Sequence, residues 1–312
     1  MELAHLPVMA AEVVEYLVTR TDGTYVDGTV GAGGHGYRIL NNAPAGRFLG
    51  IDLDDEALEE ARRMLAVFGE RVMLAHGNFA DLGCIASDLG IGAADGVLLD
   101  LGFSSLQLDD PERGFSFSAS GPIDMRLDRS DGQSALDLIV GAGERDLAGM
   151  IAEYGEERRA HPIARAILEA RDGGRLSTTK DLADAVLRTK PQKRNKTLAR
   201  VFQALRIAVN GELDNLREGL AAAVEILRPG GRLVVISYHS LEDRIVKQHF
   251  VRCEKPCVCP RDIPVCVCGR KPTLRVVTRR VVRPNDAEVA RNPRSRSAKL
   301  RVAERLAEGE AP

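Results

Sequence analysis

The chain has 312 residues, 44% of them hydrophobic and 28% charged, with a net charge of −2; this suits a globular protein of one large domain, or one with an insertion, and a sizeable core. No apolar stretch is long enough to cross a bilayer, and Met1-Glu-Leu-Ala-His5 lacks the basic and apolar regions of a signal peptide, so a cytoplasmic protein is expected and a membrane-spanning one excluded. The small net charge hides an asymmetry: carboxylates crowd Asp52 to Glu60, while Arg252 to Arg305 is strongly basic, which suits phosphate-bearing partners or a merely solvated face.

Met9, Val13 and Leu17 form an apolar stripe at helical spacing that predicts a first helix at the edge of the core. Tyr25 to Gly36 then reads as strand, glycine loop and helix, with Gly28, Gly31, Gly33, Gly34 and Gly36 in the loop. Glycines there let the backbone reach positive φ and let a ligand approach amides at a helix N-terminus; a plain tight turn is the alternative. The spacing Gly31-x-Gly33-x-x-Gly36 even satisfies a dinucleotide fingerprint. Asp27, just before the glycines, argues against a dinucleotide: its carboxylate repels a pyrophosphate and attracts a ligand bearing a sulfonium and an ammonium, such as S-adenosylmethionine. Asp52 ends the next apolar run, where an acid takes ribose hydroxyls.

Helix over 54–66, strand over 71–75, helix over 81–89 and strand over 94–100 follow, the last apolar throughout. Strands alternating with helices predict an α/β fold with a parallel, doubly wound sheet whose ligand lies beyond the strands' carboxyl ends, where Asp27, Asp52, Phe79 and Asp100 fall. The alternation stops from about Gln133 to Thr189, where helical patterns such as Leu147, Met150, Ile151 and Tyr154 run without a competing strand. This predicts an all-helical insertion domain over 106–205 for substrate recognition, inside a domain formed by 1–105 and 206–312. Helix 197–209 presents Leu198, Val201, Phe202, Leu205 and Val209 on one side and Arg200, Gln203, Arg206 and Asn210 on the other, a face that is either wet or meets RNA. A helix over 213–227 and a fifth strand over 232–237 return the chain to the sheet.

The fourth strand leads into Asp100-Leu-Gly-Phe-Ser-Ser105, Gln107-Leu-Asp-Asp110 and Arg113-Gly-Phe-Ser-Phe117. Asp100 is placed to accept a hydrogen bond from an exocyclic amine, and Phe103, Phe115 and Phe117 offer rings for base stacking; core phenylalanines and a serine-satisfied turn are the alternative. After the fifth strand, Ser240-x-x-Asp243 has the form of a capping box, and His239 beside it either contacts substrate or closes a hydrogen bond. Five of the six cysteines cluster at 253–268, with hooks Cys257-x-Cys259 and Cys266-x-Cys268. A four-thiolate zinc site and thiols in an ordered loop both remain open, since the usual hooks are spaced by at least two residues. Leu274 to Val282 and Ser295 to Val302 alternate as closing strands, with arginines such as Arg294 and Arg296 able to track RNA phosphates.

Asp27-Gly-Thr29, Gly33-Gly-His35, the three motifs from Asp100 to Phe117, Gly155-Glu-Glu-Arg158, His239-Ser-Leu-Glu-Asp-Arg244 and Pro293-Arg-Ser-Arg-Ser297 together resemble the bacterial 16S ribosomal RNA cytosine-N4 methyltransferases, the RsmH or MraW family. The resemblance runs from His5 to about Glu304. It implies a Rossmann-like class I S-adenosylmethionine-dependent methyltransferase sheet, acting on the 4-amino group of the cytidine at position 1402 in 16S rRNA of the small ribosomal subunit. It implies cofactor contacts from Gly33, Gly34, His35, Asp52, Phe79, Asp100 and Gln107, to which the reading above adds Asp27. Asp100, Ser104 and His239 are the candidate catalytic residues, and Phe115, Phe117, Arg200, Arg206, Arg294 and Arg296 the candidate RNA contacts. Oligomeric state stays open, a homodimer included, as does the choice between naked RNA and an assembled subunit.

Overall fold

The computed structural model describes residues 7–260, 265 and 267–311, leaving aside the side chains of Ser105 and Leu106. Its chain divides into two compact units, Met1–Gly102 with Leu213–Pro312, and Phe103–Glu212.

In the first unit, helix α1 (Ala10–Leu17) precedes strand β1 (Thr24–Asp27), α2 (Gly34–Asn42), β2 (Arg47–Asp52), α3 (Asp55–Leu65), β3 (Val72–His76), α4 (Leu82–Asp88) and β4 (Ala94–Asp100). The second unit holds α5 (Ser105–Asp109), α6 (Ala135–Gly141), α7 (Glu144–Gly155), α8 (Ala160–Asp172), α9 (Thr179–Arg188) and α10 (Arg194–Asn210). The chain returns through α11 (Glu212–Ile226), β5 (Leu227–Ser237), α12 (Ser240–Glu254), β6 (Leu274–Val276), α13 (Asp286–Arg291) and β7 (Lys299–Arg305). Helix α10 runs unbroken across 205/206, so the inserted unit extends beyond the boundary expected there.

The sheet has the order β3-β2-β1-β4-β5-β7-β6. The pairings among β1 to β5 are parallel; β7 runs antiparallel to β5 and to β6. The order reverses between β1 and β4, which is where an open α/β sheet leaves a crevice at its carboxyl edge. Strand β5 begins at Leu227 rather than Arg232, because Leu227 already pairs with Ala94. The last closing strand starts at Lys299, since Pro293–Ser297 is a 3₁₀ turn.

Side chains alternate across the sheet, so each strand feeds two cores. Tyr25, Phe48, Leu98 and Val234 pack against Val13 and Leu17 of α1, Ile39 of α2 and Leu58 of α3. Val26, Leu49, Val97, Leu99 and Val235 pack on the opposite face against Leu82 of α4, Leu216 and Leu220 of α11 and Phe250 of α12. Parity then decides where the strand tips point. Asp27 lies two residues beyond Tyr25, Asp100 two beyond Leu98 and Asp52 four beyond Phe48, so all three acids share the face covered by α1, α2 and α3. The inserted unit has its own core, built from residues such as Ile139, Leu147, Ile151, Ile163, Ile167, Leu182, Val186, Val201 and Phe202.

Candidate active site

Gly31 and Gly33 sit at φ of 51° and 85°, the left-handed region that side chains avoid, and Gly33 caps α2. The loop's glycines divide by what surrounds them. A Cβ on Gly33 would press within 3.4 Å of Ala61 and Leu65, one on Gly34 would meet Pro7 at 3.3 Å, and one on Gly36 would reach the Phe48 ring at 2.7 Å. Packing demands a glycine at 36 and leaves tight quarters at 33 and 34. Gly31 is different: a Cβ there would find only the Thr29 carbonyl, at 4.0 Å. Gly31 is therefore the glycine of these four whose face is open, while Gly33 and Gly34 also answer to packing.

Asp27 is fully buried. Its Oδ1 accepts hydrogen bonds from the N–H and Oγ1 of Thr29, at 3.0 and 3.2 Å. Its Oδ2 has no hydrogen-bond partner among the described residues. Burial pushes this carboxyl up to about 7, although His35 nearby favours its charged form. Asp52 accepts from Gly31 N–H through Oδ2 at 2.8 Å and from Asp54 N–H through Oδ1 at 3.0 Å. Burial again dominates, raising it to about 6.

Three groups surround Asp100. Thr29 Oγ1 accepts from its backbone N–H at 2.7 Å, Tyr238 donates its O–H to Oδ1 at 2.8 Å, and His35 Nε2 stands 3.4 Å from Oδ2. Burial works to lower the His35 pKa, but Asp100 and Asp27 outweigh it and leave the imidazole above its ordinary value. Burial and the Asp100 charge hold the Tyr238 phenol well above its usual range, so it acts as a donor. Thr29 and Tyr238 were missed from sequence. The signal for Tyr238 was strand parity: Ile236 pairs with Asp100 in the sheet, and Tyr238 lies two residues further on the same side.

Phe79 lies in the first unit beside the loop: a Cβ on Gly28 would come within 2.8 Å of Phe79 Cβ, and one on Gly219 within 2.3 Å of the ring. Its ring thus lies flush on α11. His239 is the N-cap of α12, with Nδ1 accepting from Glu242 N–H at 3.4 Å and Nε2 3.1 Å from Glu242 Oε1. The capping box therefore starts one residue before Ser240, and His239 closes it.

In the inserted unit Ser104 and Gln107 cap α5 reciprocally: Ser104 N–H donates to Gln107 Oε1 at 2.8 Å and Gln107 N–H to Ser104 Oγ at 3.2 Å. Ser104 Oγ thus serves as the acceptor in this cap, and Gln107 is buried with its carbonyl oxygen used in it. Phe115 is core, stacked on Phe103 at 5.4 Å between centroids, and Phe117 packs edge-on against Phe202 at 5.5 Å. The more exposed aromatic is Phe103. The polar face of α10 is consumed internally. Arg206 is buried, forms a two-pronged pair with Glu212 at 2.7 and 2.9 Å and lies over the Phe103 ring at 4.7 Å. Arg200 pairs with Glu157 at 3.2 Å, Gln203 donates to the Tyr154 carbonyl and Asn210 to the Met125 carbonyl. The expected RNA-facing side of this helix is therefore a structural clamp, with Arg206 sealed in. Arg294 and Arg296, in contrast, are exposed on either side of Ser295, which is buried and donates to the Asn292 carbonyl at 2.8 Å.

The sequence pattern of the MraW methylase family matches residues 2–306. The chain belongs to that family. A relative from Carboxydothermus hydrogenoformans, named ribosomal RNA small subunit methyltransferase H, is 48% identical over 98% of this chain and 99% of its own. One of the same name from Geobacter sulfurreducens is 51% identical over 98% and 100%. A solved rRNA methylase structure from Streptococcus thermophilus aligns at 11% identity with a TM-score of 0.40, over 96% of this chain and 94% of that one.

The residues of the first unit fit the methyl donor S-adenosylmethionine. A buried acid oxygen with no donor, Asp27 Oδ2, calls for a cationic N–H. Gly31 leaves room above the loop, and Asp52 keeps a lone pair on each oxygen for a ribose hydroxyl. A pyrophosphate would meet three carboxylates instead. Asp52→Ala is expected to weaken cofactor binding about tenfold or more in calorimetry, because ribose contacts and the Gly31 tether are lost together; an unaltered affinity would contradict the role assigned to Asp52.

Proposed function

We propose that this protein transfers a methyl group from S-adenosylmethionine to the exocyclic N4 of a cytidine in 16S rRNA of the small ribosomal subunit, the cytidine at position 1402. One observation carries the cofactor half: three acids at the tips of adjacent parallel strands on one sheet face, one of them with a buried oxygen lacking a donor. Family membership and the names of relatives near 50% identity support the substrate half.

Asp27 and Asp52 would hold the cofactor, Asp27 through its ammonium and Asp52 through its ribose, with Phe79 and the α2 N-terminus beside them. When bound, S-adenosylmethionine supplies an electrophilic methyl on a positive sulfur. Asp100 is the residue that meets the substrate amine. Its carboxylate accepts a hydrogen bond from N4–H, drawing electron density onto a nitrogen otherwise delocalised into its ring, and takes the proton N4 releases as the new N–C bond forms. Tyr238 and His35 position that carboxylate, and none of the cysteines lies beside it in the strand tips or the glycine loop, so no covalent enzyme intermediate is invoked. The inserted unit serves substrate recognition, and exposed Arg294 and Arg296 contact RNA phosphate. None of the described helices is long and apolar enough to cross a membrane, and the work is assigned to the cytoplasm, where ribosomal subunits are assembled.

The test is mass spectrometry of small-subunit RNA from cells lacking this protein, with tritium transfer from labelled cofactor to subunits, to naked RNA and to protein. Loss of N4-methylcytidine and its restoration by the purified enzyme are expected. An unchanged RNA mass, or label incorporated only into protein, would overturn the reading.

A further inference from the structure

Helix α12 ends at Glu254 and strand β6 begins at Leu274. The described residues between them form neither helix nor strand, and none contributes to a hydrophobic core. Connections longer than about 12–15 residues without regular structure are uncommon in compact domains unless something else organises them. Here the base is closed, since Thr273 N–H donates to the Cys253 carbonyl at 2.9 Å. Apolar side chains do not organise the rest: Val258, Val265 and Val267 are 62%, 70% and 76% exposed. The thiols come together instead, Cys259 and Cys268 partly buried and Cys257 exposed. Sγ atoms of Cys257, Cys259 and Cys268 all lie within 4.8 Å of one another, although Cys268 comes from the far side of the segment.

Two backbone features shape the sulfur cluster. Val267 N–H donates to Cys259 Sγ at 3.4 Å, tying the two arms of the segment together at the sulfur. Gly269, directly after Cys268, takes φ of 64°, turning the chain sharply behind the second hook. Thiolates gathered this closely repel one another unless a cation neutralises them. Soft sulfur donors select zinc over magnesium or calcium, and around zinc neighbouring sulfurs stand roughly 3.8 Å apart given a metal–sulfur bond of about 2.3 Å. The observed cluster is within a small contraction of that. Cys266, the remaining member of the two hooks, lies outside the described residues, and the site is argued without it.

We propose that Cys257, Cys259 and Cys268 bind one structural zinc ion that staples the α12–β6 connection, a site separate from the methyl-transfer centre. The one-residue spacing of Cys257 and Cys259 is accommodated because Cys268 approaches them from the opposite arm of the loop.

The test uses the full chain, purified reduced and without chelator. Elemental analysis is expected to find about one zinc per chain, and Cys259→Ser and Cys268→Ser to lose it while Cys84→Ser keeps it. Replacing zinc by cobalt is expected to give thiolate-to-cobalt charge-transfer bands and the visible bands of a tetrahedral ion; this reading uses the unmutated protein and does not depend on any variant folding. Zinc below about 0.1 per chain together with no charge-transfer band after cobalt addition would overturn the proposal. So would mass spectrometry finding these cysteines joined in disulfides in the freshly purified protein.

Discussion

Replacing Asp100 by alanine is expected to cut methyl transfer to isolated small subunits by about a thousandfold, in the upper range of what one positioned proton acceptor contributes. The reason is that Asp100 lies at the switch point between β1 and β4, where Tyr238 spends its donor on aiming it and His35 Nε2 stands 3.4 Å away. The fold should survive, because Asp100 is a strand-end residue whose backbone N–H bond to Thr29 does not need its side chain. Tyr238→Phe separates aiming from chemistry: losing one hydrogen bond to the carboxylate should lower kcat about tenfold and shift its pH profile, while cofactor affinity stays close to normal. Tritium transfer and a thermal melt of each variant check this. Turnover near the parent level in Asp100→Ala would remove Asp100 from the chemistry.

Asp27→Asn is expected to move stability and function in opposite directions. The folded carboxyl sits at about 7 because of burial, well above its ordinary value of 3.8. A group raised in this way stabilises the fold fully below the unfolded value and loses that contribution as pH rises through the folded one, so the window runs from about pH 4 to about pH 7. Above it, keeping the carboxylate ionised and buried costs on the order of 4 kcal/mol in the cofactor-free protein. The asparagine variant carries no such charge and should melt higher than the parent at pH 8 without cofactor. Its Kd for S-adenosylmethionine should rise about thirtyfold or more, since a cation then meets an uncharged partner in a buried site, at a cost of about 2 kcal/mol or more. The parent's affinity should also fall between pH 8 and pH 6 more steeply than the variant's, because only the parent must ionise Asp27 to bind. Calorimetry and melts at the two pH values test both halves. A variant that melts lower at pH 8 and binds cofactor as tightly as the parent would sink this account.

Much of the site was legible because it is local. The glycine loop announces itself in the chain, and the three strand-tip acids follow apolar runs whose alternation already determines the face they share. Asp27 alone distinguishes a cationic ligand from a pyrophosphate, and that argument needs nothing beyond its position before the glycines. Harder to read was local chemistry with two meanings. Ser104 and His239, candidates for catalysis, and Gln107, a candidate cofactor contact, carry side chains equally suited to helix caps, and the structure shows all three in caps. Phe115 looked like a stacking ring and is core; Arg206 looked like an RNA contact and is locked to Glu212.

The sequence by itself determined the order of strands and helices, the parallel part of the sheet, the existence of a helical insertion and the three acids at the strand tips. Each of these rests on residue type and on spacing within a few positions, which backbone periodicity converts directly into geometry. Only the tertiary structure decided which partner each polar group found. Tyr238 and Asp100 are 138 residues apart, and Asp100 and Thr29 are 71 apart. It likewise separated the open Gly31 from the glycines that packing requires, and drew Cys268 onto the Cys257–Cys259 hook. Those outcomes depend on which strand lies beside which and on how closely helices settle on the sheet, and neither is encoded in the spacing of any one stretch of the chain.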